Sequence, residues 1–254
     1  MSLQENYRML LHSDSFLSEK DDMLLVDRYM KNYQISPLVL AARSYVSNLL
    51  ESVNDHPYHN IDHTLSVYLR TKYLCECEGI TWDEKEDILI AALFHDTGFT
   101  EVYKKNESTG AQIARSWLHG RYHNEERIKR VERIIMATTF PDSSDWLFHT
   151  PIDILEEIIQ DADMDNLGCK NSFTLSAAIY DEIHTFGYSK LSFFEYLKLD
   201  REIFTQFHFH TRTAKSERNF QKNQNLNMLE EVILREEEMR TITTRETILY
   251  SLQV

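Results

Sequence analysis

The stretch Ile88-Leu89-Ile90-Ala91-Ala92-Leu93-Phe94-His95-Asp96 decides the fold. Thr81-x-x-Glu84, just upstream, reads as a capping box that opens a helix. On that helix Leu89, Ala92, Leu93 and Asp96 follow i, i+3, i+4, i+7 spacing, so Asp96 falls on the core-facing stripe. A histidine beside a carboxylate is a poor choice for a core and a good choice for holding a metal ion. An unpaired charge on an apolar helix costs several kcal/mol, and a divalent cation removes that penalty.

Matching groups lie on both sides. Upstream is Tyr58-His59-Asn60-Ile61-Asp62-His63; downstream is Gln160-Asp161-Ala162-Asp163-Met164-Asp165. His63 follows His59 by one helical turn, so both can share a helix face. His63, His95, Asp96 and Asp163 together offer imidazole nitrogen and carboxylate oxygen, the donor mix of a hydrolytic Zn, Mn, Fe or Mg site.

Working outward, the chain reads as helices with short breaks. Ser36-Pro37 starts one that runs to about residue 53, Pro57 breaks it, and a second runs through about Leu74. Gly98 ends the helix that carries His95, and 100–107 is a polar loop. Helices are expected at 108–118 and 124–138. Pro141-Asp142-Ser143-Ser144-Asp145 is loop chemistry. A helix restarts at Thr150-Pro151 with Ile152, Leu155, Ile158 and Ile159 inward, and delivers Asp161 and Asp163. Further helices fit 171–186, 191–209 and 211–239. With 6 Gly and 4 Pro in 254 residues, and 42% hydrophobic residues, the fold class expected is all-α and globular.

The formal net charge of −14, with no basic stripe, argues against a nucleic-acid polymer as partner. A small anionic substrate stays open, because a bound cation inverts the local potential. Cys75, Cys77 and Cys169 give no disulfide framework and fit reduced thiols. The opening Met1–Asn6 has neither the basic flank nor the apolar run of a leader, and no stretch approaches 18 uncharged apolar residues. The expectation is a cytoplasmic protein with no membrane span.

The order His63…His95-Asp96…Asp163 resembles the HD-domain superfamily of metal-dependent phosphohydrolases. Ala91-Ala92-Leu93-Phe94-His95-Asp96-Thr97-Gly98-Phe99 and Asp161-Ala162-Asp163 match its phrasing over about residues 40–170. The resemblance implies a helical HD core at about 40–170 and a C-terminal helical extension at about 171–254 within one domain spanning 1–254. It implies that His63, His95, Asp96 and Asp163 bind a divalent ion (Mn, Mg, Fe, Zn or Ni), with Asp161 an outer partner that orients a ligand histidine. Tyr58-His59-Asn60-x-x-His63 is similar to a segment of cyclic-nucleotide phosphodiesterases, which implies that His59 protonates the leaving group.

The chain departs from several relatives of that superfamily. No Gly-Tyr-Pro follows His95-Asp96, and the His-Asp-x-Gly-His phrase of deoxynucleotide triphosphohydrolases reads His95-Asp96-Thr97-Gly98-Phe99 here. Extra histidines for a second ion have His119, His123 and His149 as candidates, but Thr138 and Thr139 stand where one is expected. Lys104 and Lys105 are candidate contacts for substrate phosphate. Phe204, Phe207, His208, Phe209 and His210 form either helix core or a surface that stacks a base.

The function expected is hydrolysis of a phosphomonoester or phosphodiester of a small nucleotide-like substrate by metal-activated water, with His59 and Asp96 catalytic. A module that senses a nucleotide or metal without turnover is the alternative. A di-iron oxygenase is a third option and needs the extra histidines.

Overall fold

The computed structural model describes residues 36–53, 55–121, 124–140 and 148–251, with side chains to residue 240. His123, the Pro141–Asp145 loop and the opening Met1–Asn6 lie outside the described residues. Among those described, all regular structure is helical and no strand occurs.

The core is a set of helices around the apolar stretch of residues 88–94. Helix α1, Pro37–Leu50, starts where Ser36 accepts from the amides of Leu38 and Val39. Helix α2, Ile61–Glu78, is capped by Asn60, whose side chain accepts from Asp62 and His63 amides, and it stops at Gly79 in left-handed backbone. Helix α3, Trp82–Phe94, is buried all round from Asp87 to Phe94, so its sequence reads as continuously apolar and not as a stripe. Thr81 makes no side-chain cap there; its hydroxyl binds the Glu84 carboxylate instead. A 3-10 turn, Thr97–Thr100, follows directly.

Helix α4, Asn106–Leu118, docks back onto that turn, and α5, Glu125–Met136, packs against α3 and α4. Two glycines allow the first docking. A Cβ on Gly98 would lie 1.9 Å from the Asn106 carbonyl oxygen, and one on Gly110 would lie 2.8 Å from the Phe94 carbonyl oxygen. Lys105 takes left-handed backbone, φ 59°, to turn the chain into α4.

Helix α6, Ile154–Asp163, is capped by Asp153 and lies along α2. Ile152 sits outside that helix and is 73% exposed, so only Leu155, Ile158 and Ile159 of the expected stripe are buried. A second 3-10 turn, Met164–Gly168, leads to α7, Ser172–Thr185. Helix α8, Phe193–Gln206, opens with a capping box from Ser192 and Glu195. The long helix α9, Arg212–Ser251, then returns along α8 and the Met164–Gly168 turn.

Phe204, Phe207 and Phe209 are buried in the common core, so the aromatic stretch packs the interior. His208 is exposed. No helix among the described residues is long and apolar enough to cross a membrane.

Candidate metal centre

Helix ends assemble the centre. His63 sits in the first turn of α2, His95 ends α3, Asp96 begins the turn after it, and Asp163 ends α6. Because α3 is buried between α2 and its other neighbours, its C-terminal dipeptide emerges beside the start of α2 and the end of α6.

The donor atoms converge. His95 Nε2 lies 3.4 Å from His63 Nε2. Asp96 Oδ2 is 3.2 Å from His63 Nε2 and 3.1 Å from His95 Nε2. Asp163 Oδ1 is 3.3 Å from the first nitrogen and 3.5 Å from the second. Donors held about 2.0–2.3 Å from one ion stand roughly 3.0–3.7 Å from their neighbours in the shell, so these spacings fit a divalent cation. His63, His95 and Asp163 form a group that could hold a metal ion, and Asp96 Oδ2 stands beside both of its nitrogens.

The protonation pattern asks for the same charge. His95 Nδ1 is 2.8 Å from the Ala92 carbonyl oxygen, which can only accept; Nδ1 therefore carries the proton, and in neutral imidazole Nε2 presents a lone pair to the centre. Asp96 Oδ2 is buried and accepts no hydrogen bond. Burial disfavours protonated His95, yet Asp96 and Asp163 outweigh it and raise its pKa well above the ordinary histidine value. His63 is raised for the same reason. Burial works in the opposite sense on Asp163, but His63 and His95 pull its pKa down to about 2. A cluster this short of positive charge is satisfied by a cation.

His59 is placed differently from the expectation. It precedes α2 in the bend 57–60, so it does not share a helix face with His63. Its ring lies 5.8 Å from the His63 ring. Its Nδ1 is 2.6 Å from Glu182 Oε1, and Glu182 Oε2 accepts from the backbone amides of Tyr58 and His59 at 2.8 and 2.9 Å. Tyr103 donates to the same carboxylate at 3.0 Å, and Phe99 stacks on the His59 ring at 4.4 Å. Glu182 is fully buried; burial raises its pKa, but the His59 ring and the Tyr58 and His59 amides together outweigh it and bring it to about 2. The arrangement fixes the ring through Nδ1 and its stacking face, and Nε2 is the nitrogen that Glu182 does not hold.

Nothing in the sequence pattern marked Glu182. It stands on α7, 123 residues beyond His59, in no motif. The one available signal was its place in the helix, where Asp181 beside it is exposed and Glu182 is buried.

Asp161 takes a different place from the one expected. Both its oxygens are 2.7 Å from the backbone amides of His210 and Thr211, so it anchors the start of α9 and does not orient a ligand histidine. Asp165 is held between two guanidinium groups. Arg70 and Arg218 both pair with it at 2.7 Å. Lys104 and Lys105 are exposed on the stretch leading into α4. Thr138 and Thr139 bond to backbone carbonyls of their own helix end, and His149 pairs with Glu156 at 2.8 Å.

The family described as HD domain matches residues 60–164. That segment runs from the cap of α2 through Asp163 and spans the whole cluster. Over those residues the chain is similar to an HD domain. HD domains characterise a superfamily of metal-dependent phosphohydrolases that bind divalent cations. Comparison with curated proteins and with solved structures gives no match.

Proposed function

We propose that the HD domain of this chain hydrolyses a phosphomonoester or phosphodiester of a small nucleotide-like substrate. The observation that carries the reading is the convergence of His63 Nε2, His95 Nε2, Asp96 Oδ2 and Asp163 Oδ1 at 3.1–3.5 Å, with a carboxylate-held His59 beside them.

His63, His95, Asp96 and Asp163 hold the cation in this reading. The donor set suits Mn, Fe, Zn, Ni or Mg. A divalent ion held there would supply Lewis acidity towards a phosphoryl oxygen and towards water in the site. Asp163, the most exposed of the ligands, marks the side from which substrate enters. His59 donates a proton from Nε2 to the departing oxygen, and Glu182 stabilises the ring that carries it. Lys104 and Lys105 meet substrate phosphate from the stretch before α4. At that range local charge outweighs the net charge of −14, which is screened over about 10 Å.

The test is a panel of nucleotide and phosphoester substrates assayed with Mn, Mg, Fe, Zn or Ni, and repeated with chelator. Metal-dependent product release that chelator abolishes is the expected result. Tight binding of a phosphate ester without release under every metal would replace the enzyme by a sensing module.

A further inference from the structure

Asp96 has a second oxygen, and the fold commits it elsewhere. Asn106 Nδ2 donates to Asp96 Oδ1 at 3.1 Å in a buried setting. Asn106 is the first residue of α4, and its place is tightly built. Gly98 lets the 97–100 turn sit against the Asn106 carbonyl, Gly110 lets α4 close on the end of α3, and left-handed Lys105 swings the chain inward. Only Oδ2 of Asp96 then faces the two histidine nitrogens.

We infer that Asn106 makes Asp96 a one-oxygen ligand and so limits the centre to a single divalent ion. Paired ions stand about 3.5–4 Å apart, and a carboxylate that bridges them offers an oxygen to each. Oδ1 of Asp96 already accepts the Asn106 amide, which leaves it one lone pair fewer and turns it towards α4. Thr138, Thr139, Glu107 and His149, four further oxygen and nitrogen donors, are held in other contacts. Thr138 and Thr139 hydroxyls donate to the Ile135 and Met136 carbonyls at 2.8 and 2.7 Å. Glu107 Oε1 accepts from the Phe140 amide at 3.3 Å, and His149 pairs with Glu156. Asn106 is thus a positioning residue. It touches the ligand and not the ion, and it sets both how Asp96 binds and how many ions follow. A one-ion centre also removes the oxygenase option, which requires two irons.

The inference rests on the reading that His63, His95, Asp96 and Asp163 hold a cation, and the experiment separates the two. The full chain is stripped, titrated with Mn(II) or Co(II), and analysed for ions retained per chain by elemental analysis. One ion per chain at saturation is expected. Two ions, with both lost in Asp96→Ala, overturn the single-ion assignment and keep the metal centre. No retained ion overturns the metal centre itself. Asn106→Ala is expected to weaken Co(II) binding about 10–100-fold, as loss of an outer partner does. It should also change the visible Co(II) spectrum, because Asp96 is then free to bind through both oxygens. An Asn106→Ala protein with wild-type affinity and spectrum overturns the positioning role. Should that variant not fold, the wild-type ion count still decides the stoichiometry.

Discussion

His59 and Asp96 stand close together and should fail in different ways when altered. Asp96→Ala removes a donor that lies 3.1–3.2 Å from two histidine nitrogens, so ion retention and turnover should vanish together. His59→Ala leaves every one of those donors in place. It should keep the ion and lose about 10²–10⁴-fold in rate, the usual worth of a positioned proton donor. Elemental analysis beside steady-state kinetics decides this, and loss of the ion in the His59 variant would reassign that residue as a ligand. Glu182→Gln keeps the shape of the side chain but gives up the charge that faces His59 at 2.6 Å. Turnover should drop while the ion stays. The acid limb of unfolding should move too, with the sign set by a depressed pKa. The ordinary carboxylate value is near 4.3, and the folded value is about 2. The stability from Glu182 is therefore full above about pH 4.3 and is lost as pH falls towards 2, and the glutamine variant should not show that loss. The residues proposed as ligands could be picked out together because His95-Asp96 is contiguous and the others lie in short phrases. Glu182 could not, because its partnership with His59 exists only after α7 folds over the bend at 57–60. Asp161 misled for a related reason. A carboxylate that accepts backbone amides looks, in sequence, the same as one that orients a histidine.

Helix contacts set how firmly those residues are held. Gly98 and Gly110 allow α4 to close on the turn and on the end of α3, and neither tolerates a methyl group without movement. Gly98→Ala, with its Cβ 1.9 Å from the Asn106 carbonyl oxygen, should cost about 1–3 kcal/mol or more and weaken ion retention, since Asn106 would shift off Asp96. Thermal melts with and without metal measure both effects; an unchanged affinity would show that the closeness is packing alone. Helix α7 is tied down by polar groups. Its buried residues are Ser172, Ser176 and Glu182, and Ser176 donates to Asp200 of α8 at 2.6 Å. Burial pushes Asp200 up to about 6, with the Ser176 bond opposing. A raised carboxylate stabilises the fold fully below its unfolded value of about 3.9, and that contribution is lost as pH rises through about 6. Asp200→Asn should therefore flatten stability between pH 4 and 8 by up to ~3 kcal/mol, read from urea melts at both pH values. The helices themselves were largely legible in the sequence, because a start such as Ser36-Pro37 is a local signal, whereas the Asp153 cap places the start of α6 beyond the expected Thr150-Pro151. The exact start of α2 was not. Asn60 caps it, so the two histidines on either side belong to different local structures.

At the scale of the whole molecule, the match at 60–164 covers less than the unit that folds. Leu229 and Ile233 of α9 belong to the same buried cluster as Ile90 of α3 and Leu74 of α2. Polar ties reinforce this. Asp161 receives the amides at the start of α9, Asn225 donates to the Leu167 and Cys169 carbonyls, and Asp165 pairs with both Arg70 of α2 and Arg218 of α9. Asp161 and Asp165 flank Asp163 in the chain, so α9 grips the backbone on both sides of that proposed ligand. The extension proposed at about 171–254 should then behave as part of the core. The full chain should unfold in urea in one cooperative transition, followed equally by helix content and by ion release. Arg218→Ala leaves Asp165 buried with one guanidinium in place of two. Removing one partner of a buried pair costs about 3–5 kcal/mol where no other partner remains, and Arg70 should hold the loss near the lower end. Ion affinity should fall with it, because the turn after Asp163 loosens. A variant that loses stability but keeps wild-type affinity would mean that α9 props up the fold without steadying Asp163. Two separate urea transitions in the wild-type chain would instead make α9 an independent appendage.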